Sequence, residues 1–354
     1  MITGDVRRAI ARAVAAEGLP PADPGLRPAG VPGQYASTVA FAFGEHRPKA
    51  ARIASRLAET DGIARAELTG PGFITITVAP EELAALPERI AAAGPACAAS
   101  DALHGVTVPA PPAGDPLAEV SGEKASAALV PQLTARLAAA AGATIAPPES
   151  MERSVSSPDQ EARAVKGEAT DRYSEKLAQP SANPQPTETE VARAVAFAGA
   201  DAVRFALARA VPGRPVAIDP LIIARHLLSN PAYAVRYAHA RAASGVRWAA
   251  PSPAVPLGRR AVRRHPPADP GELVLLDALS WLPERVATAA RRGRPDEFAR
   301  YLEELASAAI AALIGAGDPG SAGAPSDRLA MAKAARTGLA AGLGLLGVGA
   351  PDRL

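Results

Sequence analysis

Residues 230–241 read NPAYAVRYAHAR, and this segment carries both a helix signal and a candidate binding face. An Asn-Pro pair is typical of the residue that caps a helix and of its first helical position, so a helix is predicted from Pro231 onward. Tyr233, Tyr237 and Arg241 recur every four residues. This spacing places two rings and a guanidinium group on one face of the predicted helix.

Rings and guanidinium groups in this arrangement indicate RNA recognition. Unpaired bases stack on aromatic side chains and on arginine planes, and arginines also hold phosphates. Arg236 and Arg247 lie to one side of the predicted face. The candidate RNA-binding residues are therefore Tyr233, Arg236, Tyr237, Arg241 and Arg247. Half-buried packing, with the hydroxyl groups at the rim, explains the two tyrosines equally well.

The charge pattern around this segment favours a polyanion as partner. The chain of 354 residues has 38 Lys+Arg and 36 Asp+Glu, a net charge of +2. Residues 201–265 nevertheless contain eleven arginines against two acidic residues, Asp201 and Asp219. Such a local surplus is the electrostatic pattern of nucleic-acid-binding surfaces.

Four of these arginines, Arg259, Arg260, Arg263 and Arg264, form a second candidate, a basic loop. Its charge would attract RNA irrespective of base sequence, because phosphate contacts carry no sequence information. A solvated linker explains the same residues equally well.

The last part of the chain predicts helices throughout. Apolar residues recur at helical spacing, and Pro or Gly residues punctuate the segments. The predicted helices cover 189–209, 219–228, 230–249, 273–291, 295–314 and 326–346. Residues 188–354 are thus predicted to form an all-α helical bundle.

The first 100 residues predict a small α/β domain with an antiparallel sheet. Two alternating runs, 64–69 and 73–78, flank a Gly-Pro-Gly turn and indicate a hairpin. A further strand is predicted over 35–43, and helices are predicted over 5–17, 48–59 and 80–93. The fold class is therefore α+β.

Residues 101–187 are rich in proline and alanine and predict a low-complexity linker. One ordered segment is expected inside it, 124–141, because Leu129, Leu133 and Leu137 recur every four residues.

Composition excludes several classes of protein. A single cysteine, Cys97, excludes a disulfide framework and a cysteine-based metal site, and no metal or cofactor is expected. The longest charge-free apolar stretch, 338–351, is shorter than the roughly 20 residues that cross a bilayer. No membrane association is expected, and the predicted location is cytoplasmic.

Several motifs resemble the arginyl-tRNA synthetase family. Residues 199–204 (GADAVR) are similar to the signature of its DALR anticodon-binding domain, and 230–241 and 342–354 resemble two further segments of that domain. Residues 34–38 (QYAST) and 70–74 (GPGFI) resemble the family's N-terminal additional domain. The resemblance implies tRNA, with tRNA(Arg) as the candidate, as the ligand of the helical bundle.

The middle of the chain departs from that family. The synthetases have a His-x-Gly-His turn and a Lys-Met-Ser-Lys-Ser loop that stabilise charge on ATP phosphates. Here His104 and Gly105 precede Val-Thr, and residues 151–154 (MERS) have no lysine nearby. Residues 116–120 and the helix after them are a candidate relic of the catalytic domain. A non-catalytic tRNA-binding protein is therefore predicted.

The resemblance also implies roles for residues outside the ring face. Asp201 and Arg204, three apart on a helix, are expected to organise the bundle as a local salt bridge or cap. Tyr35 and Arg47 are expected to touch the tRNA elbow. Two other functions stay open: a module that docks on a synthetase or another protein without RNA, and a residual enzyme.

Overall fold

The computed structural model describes residues 2–147, 189–248, 269–314 and 325–354. Its N-terminal unit is an antiparallel sheet of four strands in the order β1-β2-β4-β3, with α2 packed against β3 and β4. The elements of this unit are α1 Ile2–Ala16, β1 Arg27–Pro28, β2 Gln34–Ser37, α2 His46–Ala58, β3 Ile63–Thr69, β4 Phe73–Val78 and α3 Pro80–Ala93. The predicted hairpin is confirmed, since β3 and β4 pair antiparallel around the Gly-Pro-Gly turn.

The predicted strand over 35–43 is wrong beyond Ser37. The Ser37 hydroxyl donates to the Pro24 carbonyl at 2.6 Å and accepts from the Val39 amide at 3.2 Å. These bonds turn the chain into a short 3₁₀ helix, Val39–Ala42. Phe41, predicted to lie on one face of the strand, is instead 40% exposed.

The predicted linker is ordered over its first part. β5 Thr107–Pro109 and β6 Thr144–Ala146 form a parallel pair, joined through α4 Gly122–Ala140. Leu129, Leu133 and Leu137 are buried, because the apolar face of α4 packs against helices of the C-terminal bundle. The expected ordered segment, 124–141, is confirmed as α4, and the linker interpretation is wrong for the two strands. Residues 148–187 of the predicted linker lie outside the described residues.

The C-terminal unit is helical, as predicted. Its helices are α5 Glu190–Ala198, α6 Ala200–Arg209, α7 Pro220–Ile223, α8 Pro231–Trp248, α9 Pro270–Arg292, α10 Pro295–Ile314 and α11 Pro325–Leu345. α8 lies against α10 and α11. Within the described ranges, no helix is both long enough and apolar enough to cross a membrane.

Two helix boundaries differ from prediction for local reasons. Gly199, with φ of 85°, divides the predicted helix 189–209 into α5 and α6, because glycine adopts that backbone conformation without strain. The helix predicted over 219–228 ends at Ile223. The Asn230 side chain donates to the carbonyls of Ile223 and Arg225, at 2.8 and 2.7 Å, and so stabilises a turn there.

The N-terminal unit packs directly on α9 through buried polar contacts. Ser280 accepts at its carbonyl from the Thr3 hydroxyl (2.8 Å) and at its Oγ from the Tyr35 hydroxyl (2.9 Å). Arg7 forms an ion pair with Glu284, in which Nη2 donates to both carboxylate oxygens, at 2.7 and 2.6 Å. The expectation that Tyr35 touches RNA is wrong, because its side chain is fully buried. This burial also raises the pKa of its hydroxyl group.

Candidate functional site

The candidate site lies on the outer face of α8 and on the loop before it. Asn230 is buried at the start of this helix, and its two hydrogen bonds fix the preceding loop. That loop carries His226, which comes to lie over the first tyrosine of α8. On the opposite side of α8, Val235 and Ala238 are buried in the bundle. The apolar side of the helix thus orients its polar side towards solvent.

Three rings stack along this face, and we name them the ring column: His226, Tyr233 and Tyr237. The His226 and Tyr233 rings have centroids 5.3 Å apart and an interplanar angle of 13°. Tyr233 and Tyr237 are 5.8 Å apart at 23°. Both distances are typical of offset stacking. The tyrosines are partly exposed and His226 is exposed, so the column is accessible to solvent.

His226 was missed by sequence reasoning. It precedes the predicted helix start, so helical spacing gives no reason to group it with Tyr233. Its position depends on the Asn230 side chain, whose bonds to two carbonyls of the loop are a tertiary detail. An aromatic residue shortly before an Asn-Pro helix start is a weak signal.

Arg241 continues the ring column by one helical turn. It is exposed, and in the described part of the chain its guanidinium group forms no hydrogen bond or ion pair. The structure therefore brings together three of the predicted residues, Tyr233, Tyr237 and Arg241, as the spacing predicted.

The other two candidate arginines have partners within the protein. Arg236 lies 3.6 Å from the Asp201 carboxylate, and its side chain is 27% exposed. Arg247 donates to the carbonyl of Asp352 at 3.0 Å. Helical spacing predicted that both arginines lie beside the face of Tyr233 and Tyr237. In the structure, their partners are instead Asp201 and the C-terminal segment of the chain.

Asp201 and Arg204 form hydrogen bonds with the C-terminal segment of the chain and not with each other. Asp201 accepts from the Gly349 amide at 3.0 Å, and Arg204 donates to the Gly347 carbonyl at 2.8 Å. The expectation of a local bond between Asp201 and Arg204 is wrong, because the partners of both residues lie more than 140 residues away in sequence.

Three further bonds fix the segment after Gly347, which we name the tail (residues 348–354). His239 on α8 is buried, and its Nδ1 lies 2.9 Å from the Pro351 carbonyl. Arg336 on α11 binds the Asp352 carboxylate with two nitrogens, at 3.1 and 3.0 Å. Burial lowers the pKa of His239, although the Pro351 carbonyl and the Asp352 charge oppose that shift.

The basic loop of Arg259, Arg260, Arg263 and Arg264 lies outside the described residues. Across the ranges that the structure does describe, no three His, Cys, Asp or Glu side chains are grouped to hold a metal ion.

A second exposed aromatic surface lies on the N-terminal unit. The Phe41 ring packs edge-to-face against Phe73, with centroids 5.0 Å apart, and at a tilt against His46, with centroids 5.2 Å apart. Arg47 is exposed beside them and donates to the Gly70 carbonyl at 2.8 Å. The sequence pattern placed Phe41 in a sheet, so only the 3₁₀ helix reveals this surface.

The N-terminus of α4 is the place where a β-α unit of this kind would receive a phosphate. Here the Gly122 amide donates to the Glu190 carboxylate at 3.2 Å. A Cβ atom added at Gly122 would lie 3.0 Å from the Val216 carbonyl and 3.1 Å from Ile218. An acidic side chain and a packed segment therefore cover this end of the helix.

Comparison with known protein families identifies a domain in the C-terminal third of the chain. Residues 235–354 match the DALR anticodon binding domain. This range includes Tyr237, Arg241 and the tail, so the class of domain that carries this part of the candidate site is an anticodon-binding domain.

Two relatives of this chain are enzymes of the same kind. The arginine–tRNA ligase of Frankia alni is 34% identical over 161 residues, which cover 44% of this chain and 29% of the relative. That of Kineococcus radiotolerans is 37% identical over 168 residues, with the same coverage. The chain is thus related to arginine–tRNA ligases, and it spans about 29% of the length of these relatives.

A solved structure shows the same fold. The Thermus thermophilus arginyl-tRNA synthetase superposes with a TM-score of 0.65 at 15% identity, over the whole length of both chains. At this identity the likeness concerns the fold alone.

Proposed function

We propose that this protein binds tRNA through the ring column and Arg241, without catalysing aminoacylation. The observation that carries the proposal is the column of stacked rings followed by the Arg241 guanidinium group, which has no partner among the described residues; Tyr237 and Arg241 lie in the matched anticodon-binding domain. An exposed set of ring faces stacks on unpaired bases, and the guanidinium group binds a neighbouring phosphate.

The energetics favour this surface over the rest of the arginine-rich region. Stacking of a base on an aromatic side chain contributes about 1–3 kcal/mol per base. Arg236, Arg204 and Arg247 bind protein groups, so they contribute to RNA binding mainly through long-range charge. Of the candidate arginines on α8, Arg241 is the one without a partner among the described residues, so it is available for a direct contact.

The covered end of α4 supports the non-catalytic part of the proposal. A nucleotide phosphate would have to displace the Glu190 carboxylate from the Gly122 amide and meet its negative charge. Residues 105–124, which include the start of α4, contain no histidine that could stabilise charge on ATP phosphates. Arginine-dependent ATP–pyrophosphate exchange by the purified chain is expected to be absent, and measurable exchange would contradict this part.

The RNA-binding part is tested by filter binding with total tRNA at fixed moderate salt. The double variant Tyr237→Ala with Arg241→Glu is expected to bind at least about 100-fold more weakly, because it removes one stacking ring and reverses one contact charge. Arg12→Glu changes the net charge equally on α1, where Arg12 is exposed and, like Arg241, has no hydrogen bond or ion pair with a described residue, and it serves as the matched control. Wild-type binding no tighter than about 10⁻⁴ M would overturn the proposal.

The obvious charge-reversal pair, Arg236→Glu with Arg241→Glu, is a poorer test. A glutamate at 236 would face the Asp201 carboxylate, which now lies 3.6 Å from the Arg236 guanidinium. Repulsion there would disturb the Gly349 contact of Asp201 and confuse loss of binding with loss of structure.

A second candidate function is docking on a synthetase or another protein without RNA. It is favoured by large apolar side chains exposed on α5, on α7 and in the loop that follows α7. They are Phe197 (60% exposed), Leu221 (65%), Ile222 (53%), Leu227 (56%) and Leu228 (53%). A protein recovered with the chain after nuclease treatment, and lost in Leu227→Ser with Leu228→Ser, would favour this function.

A further inference from the structure

A pocket of about 680 Å³ lies on the other side of α8 from the ring column. It is bounded by the short helix Gly94–Ala98, the end of α4, α11 and the tail. Small residues such as Ala98, Ala340 and Ala341 form its walls, and His239 and Arg336 are among its polar residues. Volumes of about 300–1,000 Å³ with mainly apolar walls and a few polar groups are typical of small-molecule sites.

His239 gives the pocket a defined hydrogen-bond acceptor. Its side chain is only 2% exposed, and Nδ1 lies 2.9 Å from the Pro351 carbonyl. A carbonyl oxygen only accepts, so Nδ1 must carry the proton of the neutral ring. The other nitrogen, Nε2, is then an acceptor, and it has no partner among the described residues.

Burial keeps this ring in the neutral form. It lowers the pKa of His239, and the nearby Arg336 charge acts in the same direction, whereas the Pro351 carbonyl and the Asp352 carboxylate oppose them. Nε2 is not among the fully buried polar atoms without a partner, and His239 lines the pocket, so a ligand in the pocket that donates a hydrogen bond to Nε2 gains free energy.

Arg336 supplies the complementary donor. Its Nε and Nη2 bind Asp352, and its Nη1 forms no hydrogen bond in the part of the chain that the structure describes. Because the Arg336–Asp352 pair is neutral as a unit, the pocket favours an uncharged ligand over an ion. The ligand needs a donor for His239 and an acceptor for Arg336.

We propose that this pocket binds an amino-substituted planar heterocycle of the nucleobase kind, such as adenine. Such a ring carries an amine donor beside ring-nitrogen acceptors, and flat alanine-lined walls suit its faces. The ring can belong to a free nucleoside or to an unpaired nucleotide of a bound RNA. The proposal does not rest on the proposed tRNA site, because Tyr237 and His239 lie roughly 160° apart around α8.

Gly344 provides a variant that fills the pocket with little risk to the fold. It lies in the last turn of α11 and lines the pocket, and an added Cβ atom would meet nothing within 4 Å. Leucine at this position projects into the pocket, and both leucine and alanine favour a helix over glycine. Gly344→Leu is therefore the test variant and Gly344→Ala its matched control.

The test is ligand-detected NMR of the full chain with adenosine and with purine riboside, which differs only in lacking the amine. Adenosine is expected to bind saturably, and purine riboside about tenfold more weakly, because it leaves His239 Nε2 without a donor. Gly344→Leu should abolish adenosine binding, and Gly344→Ala should leave it within about twofold. Thermal melts confirm that both variants fold.

The same variants separate the two sources of the ring. If Gly344→Leu also weakens tRNA binding, the ring belongs to the RNA; if tRNA binding is unchanged, the pocket takes a free nucleoside. Absence of saturable adenosine binding, or adenosine binding that survives Gly344→Leu, would overturn the proposal. Neither result bears on the Tyr237 and Arg241 variants, so the two proposals fail independently.

Discussion

The two faces of α8 carry similar side chains and use them differently. On the inner face, His239 is buried and binds the tail, and Arg247 joins it from the last turn of the helix. On the outer face, Tyr237 stacks in the ring column, and Arg241 is exposed without a partner among the described residues. A count of aromatic and basic residues does not distinguish the two faces.

The difference between the two faces indicates which arginines of the described basic segment are free to bind RNA. Arg204 and Arg247 donate to backbone carbonyls of the C-terminal segment, and Arg236 lies at an acidic side chain. These groups already have partners, so their removal should affect stability more than recognition. The comparison therefore predicts opposite phenotypes for variants on the two faces.

The largest effect is expected on the inner face. His239→Ala removes a buried ring and its bond to Pro351, and it should lower the free energy of unfolding by about 2–3 kcal/mol. Urea denaturation followed by circular dichroism measures this change. A loss below about 0.5 kcal/mol would show that the tail does not depend on this contact.

The next effect is expected on the outer face. Tyr237→Ala should weaken tRNA binding about tenfold, since one stacking ring is lost, with a change in the free energy of unfolding below about 1 kcal/mol. Tyr237→Phe keeps the ring and should bind within about twofold of wild type. If Tyr237→Phe binds tRNA as weakly as Tyr237→Ala, the proposed stacking role of the Tyr237 ring is contradicted.

A variant of His226 tests whether the RNA-binding surface extends beyond α8 into the preceding loop. His226→Ala shortens the ring column by one exposed ring and should weaken tRNA binding about threefold to tenfold, as measured by filter binding. Unfolding should be unaffected, because the ring is exposed. Unchanged affinity would restrict the site to α8 itself.

Asp201 lies where the two faces meet. Asp201→Asn keeps an acceptor for the Gly349 amide but removes the charge beside Arg236. The free energy of unfolding should fall by less than about 1 kcal/mol, and freed Arg236 should strengthen tRNA binding about twofold. Weaker binding in this variant would show that Arg236 needs its partner to be positioned.

The smallest expected effect is a pH dependence of stability. The folded-state pKa of His239 is lowered by burial, against the opposing influences of the Pro351 carbonyl and the Asp352 charge. Its contribution to stability is therefore present above the unfolded pKa of about 6.5 and is lost as pH falls below it. The urea midpoint of wild type should fall more than that of His239→Gln between neutral pH and about pH 5.5. Equal falls would contradict this assignment.

Local signals predicted most of the fold. The Gly-Pro-Gly hairpin, α3 and α10 lie where alternation and helical spacing place them. Strand β2 ends early because Ser37 binds the distant Pro24 carbonyl, and such a bond has no signature within the strand. The helix α4 was expected over 124–141, but strands β5 and β6 were missed, because each has only three residues and the segment between β5 and α4 is rich in proline.

The site was predicted where it depends on one helix and missed where it depends on tertiary contacts. Tyr233, Tyr237 and Arg241 share a face by spacing alone. The partners of Arg236 and Arg247, and the position of His226, depend on contacts that helical spacing does not encode. The boundaries of the domains, predicted at 100 and 187, stay predictions.

The central claim is that the outer face of α8 holds unpaired bases of tRNA. Nuclease protection of tRNA bound to the wild-type chain, compared with the Tyr237→Ala variant, tests it most directly. We predict that the wild type protects unpaired nucleotides of the anticodon loop and that these nucleotides become accessible with the variant. Protection confined to other parts of the tRNA, or anticodon-loop protection that is unchanged in the variant, would contradict it.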